Sequence, residues 1–356
     1  MYRVRFSALA RGIVVLAVLV STGIATASAA PSSVSELTPR EAVLSWIAAY
    51  RAKPALAQVP AAVRAASKFG AFRDVDSAGV YVGFIAGLFA SNPAKSEELV
   101  VKMLSLPAEE HWVIVRAVAY SGLPQWKQLL GKVAARMPGR KIMVEKYLAG
   151  KLPTLDQFAF QEEPNILVRM RDALTLKSAL GDEAAKQPSF DPHPDLIDTY
   201  WGYYYATGTY SPVARIVAML AWAKERNSIA KLTLGSMAKH TLSVNAARDP
   251  ALLSLLKWAR TQQPKHTAAE LDEVIEAAET ADTPRLRKQA LDAIEELKRK
   301  GPGFKRDVSL WGQVGQGALS LGCIGLAVAG QVALGVPCVV GGALSSGFLY
   351  YWGQQQ

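Results

Sequence analysis

The sequence predicts an all-α protein: an irregular array of helical hairpins, solenoid-like or folded as an orthogonal bundle, ending in an apolar helical hairpin. Three observations predict it. Apolar residues recur at three- and four-residue steps, as one buried face of an α-helix requires. Short oxygen-bearing side chains followed by proline, and isolated glycines, punctuate the chain at helix-length intervals. Sustained period-two alternation, the mark of a half-buried strand, is scarce.

The first element is a leader. Arg3, Arg5 and Arg11 precede the apolar run Gly12 to Val20, and small residues follow, with Ala27-Ser28-Ala29 in the small-x-small pattern. That order is a secretory signal peptide, and the apolar core is shorter than the roughly 20 residues of a span. Residues 1–29 are therefore expected to be removed, and the protein to be exported to the periplasm or cell envelope.

The body, residues 30–307, follows as helices. Thr38-Pro39, Asn92-Pro93, Ser211-Pro212, Asp249-Pro250 and Thr283-Pro284 read as helix starts. In each, an oxygen can accept from an orphan N–H while the proline pre-sets the helical φ. Thr38 with Glu41 and Thr267 with Glu270 have capping-box spacing. Gly122, Gly150, Gly181 and Gly208 read as stops, where a left-handed residue ends a helix. The apolar sets are Val43, Trp46, Ile47, Tyr50; Tyr81, Phe84, Ile85, Leu88; Trp126, Leu129, Leu130, Val133; Ile216, Val217, Leu220; and Leu271, Val274, Ile275, Ala278. The proline-rich loop between Gly181 and Pro194 divides the body into an N-terminal lobe, 30–190, and a C-terminal lobe, 191–307.

Charge alternates along this body. Without the leader the chain keeps 37 Lys and Arg against 30 Asp and Glu. Residues 114–151 hold eight bases and one acid, Glu145, and residues 212–265 nine bases against Glu225 and Asp249. Acid-rich stretches follow each. Neighbouring segments are expected to neutralise one another inside the fold. The sharper reading is a basic surface for an anionic partner, a lipid surface rather than nucleic acid given export.

The motifs do not define a chemistry. The sequence contains no HExxH, no G-x-S-x-G elbow and no phosphate loop, so no catalytic residue, cofactor or metal is assigned. His193 lies among Asp191, Asp195 and Asp198, but Pro192 and Pro194 hold that stretch extended and splay the side chains. The best partner-binding candidate is the aromatic run from Tyr200 to Tyr210, with Trp201, Tyr204 and Tyr205 as its key positions. Aromatics with polar tips serve interfaces, and they also serve as core residues whose hydroxyls tie to loops.

The last element is residues 308–356, which contain no Asp, Glu, Lys or Arg and eleven glycines. Trp311 opens it and Tyr350, Tyr351 and Trp352 close it, as an interfacial aromatic belt would. Small residues at Gly325, Ala329 and Ala333 allow close helix approach in lipid. On one straight helix Cys323 and Cys338 would stand roughly 22 Å apart; in a hairpin turning near Gly330 they fall opposite each other and can form a disulfide. The segment is read as an apolar hairpin in a membrane or buried in protein. Three functions fit: an exported scaffold that binds an envelope protein or anionic lipid, a membrane-inserting or pore-forming protein, and an envelope hydrolase whose site assembles from distant residues.

Overall fold

The computed structural model describes residues 40–73, 75, 78–158, 195–226, 229–286, 288, 289 and 292. These are 75% helical, and no strand occurs among them, so the all-α expectation holds. The leader and the segment 308–356 lie outside the described residues.

The helices are α1 (Arg40–Ala49), α2 (Val59–Lys68), α3 (Gly79–Ser91), α4 (Ser96–Met103), α5 (Trp112–Tyr120), α6 (Trp126–Ala134) and α7 (Lys141–Leu148). After residue 194 come α8 (Asp195–Thr207), α9 (Ser211–Ala218), α10 (Ile229–Ala246), α11 (Pro250–Arg260) and α12 (Lys265–Glu279). Among the described residues, none of these helices is both long and apolar enough to cross a membrane.

Local signals account for several boundaries, although Asn92 and Ser211, expected to cap through their side-chain oxygens, make no such bond. Gly122, Gly150 and Gly208 take φ of +69°, +67° and +66° just past α5, α7 and α8, as the stop reading requires. Asp249 caps α11, accepting from the backbone N–H groups of Ala251 at 3.1 Å and Leu252 at 3.2 Å. The capping box expected at Thr267 is corrected: α12 begins two residues earlier, at Lys265 behind Pro264. Thr267 is inside the helix, and Glu270 is held by lysines instead of the backbone. A capping box does form at Thr154 and Gln157, on the one-turn helix Leu155–Gln157.

One helix organises the interior. α3 is apolar on every side, and a helix without a polar face must be buried on every side; Gly79 through Phe89 are all buried. The apolar sets of α1, α9 and α12 converge on the same core, a single cluster whose members, among the described residues, include both Val43 and Ala278. The core therefore crosses the boundary expected at 190/191, and the two stretches share one interior.

Candidate functional site

The aromatic helix α8 lies against α3, and glycines set how closely. Gly79, Gly83 and Gly87 recur at four-residue steps on α3. A Cβ on Gly83 would stand 2.7 Å from the Thr199 carbonyl carbon, and one on Gly87 would stand 2.7 Å from the Ala206 Cβ. From the other side, a Cβ on Gly202 would stand 2.7 Å from the Phe84 backbone nitrogen. These contacts advance together along both helices, from Gly79–Asp195 to Gly87–Ala206, so α3 and α8 run parallel. The principal helix contact is thus a parallel pair far apart in sequence, not a local antiparallel hairpin.

Trp201, Tyr204 and Tyr205 are 0%, 1% and 6% exposed. The expectation that they meet a partner is corrected: they belong to the core, and their rings pack on one another with centroids about 6 Å apart. The sequence places tyrosines almost all round α8, and burying such a helix is tolerable only where each hydroxyl finds an acceptor. Tyr200 donates to the Leu155 carbonyl at 3.2 Å and Tyr203 to the Ser121 carbonyl at 3.0 Å. Tyr204 donates to Asp249 Oδ2 at 2.7 Å and Tyr205 to Asn245 Oδ1 at 2.6 Å. One helix is thereby tied to the turn after α7, the end of α5, the cap of α11 and the side of α10.

Asp249 is the junction of this arrangement. Its Oδ1 caps α11, while its Oδ2 accepts from Tyr204 and from Arg51 Nη2, just beyond α1. The Arg51 guanidinium also lies over the Tyr204 ring, 5.0 Å from its centroid. Burial and then the Asp249 carboxylate push the Tyr204 hydroxyl up, and burial pushes the Tyr203 hydroxyl up to about 12. These phenols stay neutral donors over the ordinary pH range. Together with Asp249 and Asn245 they form a fastening.

Asp195 and Asp198 are buried on the same helix beside Gly79. Two buried donors, the Tyr81 hydroxyl and Trp201 Nε1, have no hydrogen-bond partner among the described residues. Tyr81 borders an apolar cleft between α1, α2 and α3, lined by Val43, Trp46, Val63 and Phe84, with room for about one water. No group of three His, Cys, Asp or Glu side chains able to hold a metal occurs among the described residues. His111, buried, is hydrogen-bonded to the Leu106 carbonyl at 3.0 Å. His193, the cysteines Cys323 and Cys338, and Trp311, Tyr350, Tyr351 and Trp352 lie outside the described residues.

Four of the nine bases in the stretch 212–265 pair with acids of α12. Lys239 Nζ lies 2.6 Å from Glu270 and 2.8 Å from Glu273. Lys224 reaches Glu270 at 2.5 Å, Lys257 reaches Glu279 at 2.6 Å, and Arg260 pairs with Asp272. Mutual neutralisation of neighbouring segments is what the alternation of charge along the sequence led us to expect here.

Comparison of the chain with protein-family models, with curated proteins and with solved structures finds no match.

Proposed function

We propose that the protein is an exported helical scaffold, held at a membrane by residues 308–356 and presenting its helical body to the envelope. The observation that carries the reading is the contrast in charge between the two parts. A 49-residue stretch without one Asp, Glu, Lys or Arg follows a body with ordinary charge density. Such a stretch has no charge to desolvate on entering lipid and little to keep it in water. The body has few comparable surfaces of its own: its exposed large hydrophobics, among the described residues, are Val75, Val101, Ile142 and Trp258, on separate elements. The signal-like leader supports export. The described body contributes rigidity through the α3–α8 contact, which suits a scaffold.

Cell fractionation of the full chain and of a chain ending at residue 307 tests this. The full chain is expected in the membrane fraction, resistant to high-salt washing, and the shortened chain in the soluble extract. Equal partitioning of the two would sink the tether. Dye-loaded liposomes should stay sealed when the full chain binds; leakage would favour membrane insertion as the activity itself.

A further inference from the structure

We infer that the outer face of the α6–α7 hairpin is a contact surface for anionic lipid, with Ile142 as the side chain that enters the headgroup layer. The inference rests on the membrane reading above and adds a second point of contact, on the body.

From Trp126 to Lys151 the chain carries seven bases, Lys127, Lys132, Arg136, Arg140, Lys141, Lys146 and Lys151, and one acid, Glu145. Both helices of the hairpin lie on α5 and on each other. Their apolar sides, Leu129, Leu130 and Val133 on α6 and Val144 and Tyr147 on α7, are used up in that contact. The opposite sides are exposed and carry the bases.

Little of this charge is neutralised among the described residues. Lys132 pairs with Glu97 at 2.9 Å, and Lys141 lies 4.0 Å from Glu145. Arg140 donates to the Glu109 carbonyl. Lys127, Arg136, Lys146 and Lys151 make no ion pair among the described residues. The contrast is with stretch 212–265, where Lys224, Lys239, Lys257 and Arg260 all reach carboxylates. Among the described residues, carboxylates thus meet four of nine bases there and two of seven in the hairpin, where Lys127 instead lies over the Trp126 ring.

An exposed aliphatic stands within this basic face. Ile142 is 70% exposed, the most of any large hydrophobic among the described residues, and it is flanked in sequence by Lys141 and, one turn on, by Lys146. In water that side chain gains nothing. At a lipid interface it enters the acyl boundary while the flexible lysine stems keep their ammonium groups among phosphates. A nucleic acid would match the charge but would give an aliphatic side chain no comparable place.

Sedimentation of the full chain with vesicles tests the surface. Vesicles of neutral phosphatidylcholine are compared with vesicles that also contain anionic phosphatidylglycerol. The full chain should prefer the anionic vesicles, and raised salt should erase the preference. The triple variant Lys127→Glu, Arg136→Glu, Lys146→Glu should lower the anionic-to-neutral ratio of partition coefficients by at least about 100-fold. Ile142→Ser should weaken binding to anionic vesicles by about tenfold. Equal binding to both vesicle types, or an unchanged ratio in the triple variant, would overturn the inference. So would a charge-dependent affinity for duplex DNA exceeding that for anionic vesicles. Binding to neutral vesicles reports the apolar tail alone: its absence counts against the tether, while the ratio between vesicle types still tests the hairpin.

Discussion

α8 and the α6–α7 hairpin are both rich in the residues that interfaces use, and the fold treats them in opposite ways. In α8 the aromatic rings are buried and four tyrosine hydroxyls are tied to four different parts of the body. In the hairpin, four bases make no ion pair among the described residues and Ile142 stands exposed. Composition alone marks both regions as candidates for a partner. What separates them is whether each polar group has already found its counterpart inside the protein. A group so satisfied is expensive to recruit, because a partner must first replace the internal bond.

The largest effect expected from this contrast comes from glycines. Gly83→Ala inserts a methyl against the Thr199 backbone, where neither helix can retreat without opening the α3–α8 contact. Urea denaturation should show a loss of about 4 kcal/mol or more. Gly131, within α6, has nothing within 4 Å of where its Cβ would stand. Gly131→Ala should therefore stabilise by up to about 1 kcal/mol, because alanine favours the helix. The same substitution with the same sign at both sites would break the comparison.

Buried and exposed lysines supply the next contrast. Glu270 is buried and receives both Lys239 and Lys224. Glu270→Ala leaves Lys239 largely buried with only Glu273 beside it, and should cost about 3 kcal/mol. The pH profile follows the same groups. Burial works to raise the Glu273 carboxyl, but hydrogen bonding and attraction from Lys239, then Lys224 and Arg285, hold it below its ordinary value. A depressed carboxyl stabilises fully above its unfolded value, and that stability is lost as pH falls through the folded one. Lys224 is raised, chiefly by its hydrogen bond to Glu270, so its share is complete below the ordinary lysine value and fades as pH climbs through the raised one. Acid denaturation of Glu273→Gln should lack the contribution lost below the ordinary glutamate range; an unchanged profile would remove Glu273 from the network.

Much of this was legible in the sequence, for reasons that particular residues make plain. The helix stops at Gly122, Gly150 and Gly208 and the cap at Asp249-Pro250 depend on local backbone chemistry, and local chemistry is written in adjacent residues. The burial of α3 follows from its composition, since Gly79 to Phe89 include no charged residue, although the period of Tyr81, Phe84, Ile85 and Leu88 marks only one of its faces. The role of α8 was not legible, because its acceptors, Leu155, Ser121, Asp249 and Asn245, lie 40 to 82 residues away and only the fold assembles them. A signal for the α3–α8 contact was present in Gly79, Gly83 and Gly87, spaced four apart on a wholly apolar helix. Small residues at that spacing mark close approach in any medium, and the partner face of Thr199, Gly202 and Ala206 could then be sought. Thr267 and Glu270 matched a capping box by spacing only, since the demand of two lysines outweighed the backbone's claim on that carboxylate.

Smaller effects sharpen the distinction among the hydroxyls. Tyr204→Phe removes a donor from Asp249 and should cost about 2 kcal/mol, the range for a hydrogen bond to a charged group. Tyr81→Phe removes a buried hydroxyl without a hydrogen-bond partner among the described residues, so thermal denaturation should show no loss and a slight gain. If both variants lost stability equally, the ties of α8 would count for no more than ring volume.

The smallest effect belongs to the hairpin and decides whether its bases serve the fold at all. Arg136 and Lys146 are exposed and make no ion pair among the described residues, and each lies in a stretch where other bases outnumber the single acid Glu145. Reversing either to Glu removes no internal contact and lessens repulsion among its neighbours. Stability should therefore change by less than about 0.5 kcal/mol, because relief of repulsion is offset by the loss of a base at a helix C-terminus. Lys239→Glu would instead set a third carboxylate against Glu270 and Glu273 and should prevent folding. A base whose reversal the fold does not register is one that stability alone does not require, and that is the condition under which an external anion can account for it. Loss of more than about 1 kcal/mol on reversing Arg136 or Lys146 would assign the hairpin's charge to the interior after all.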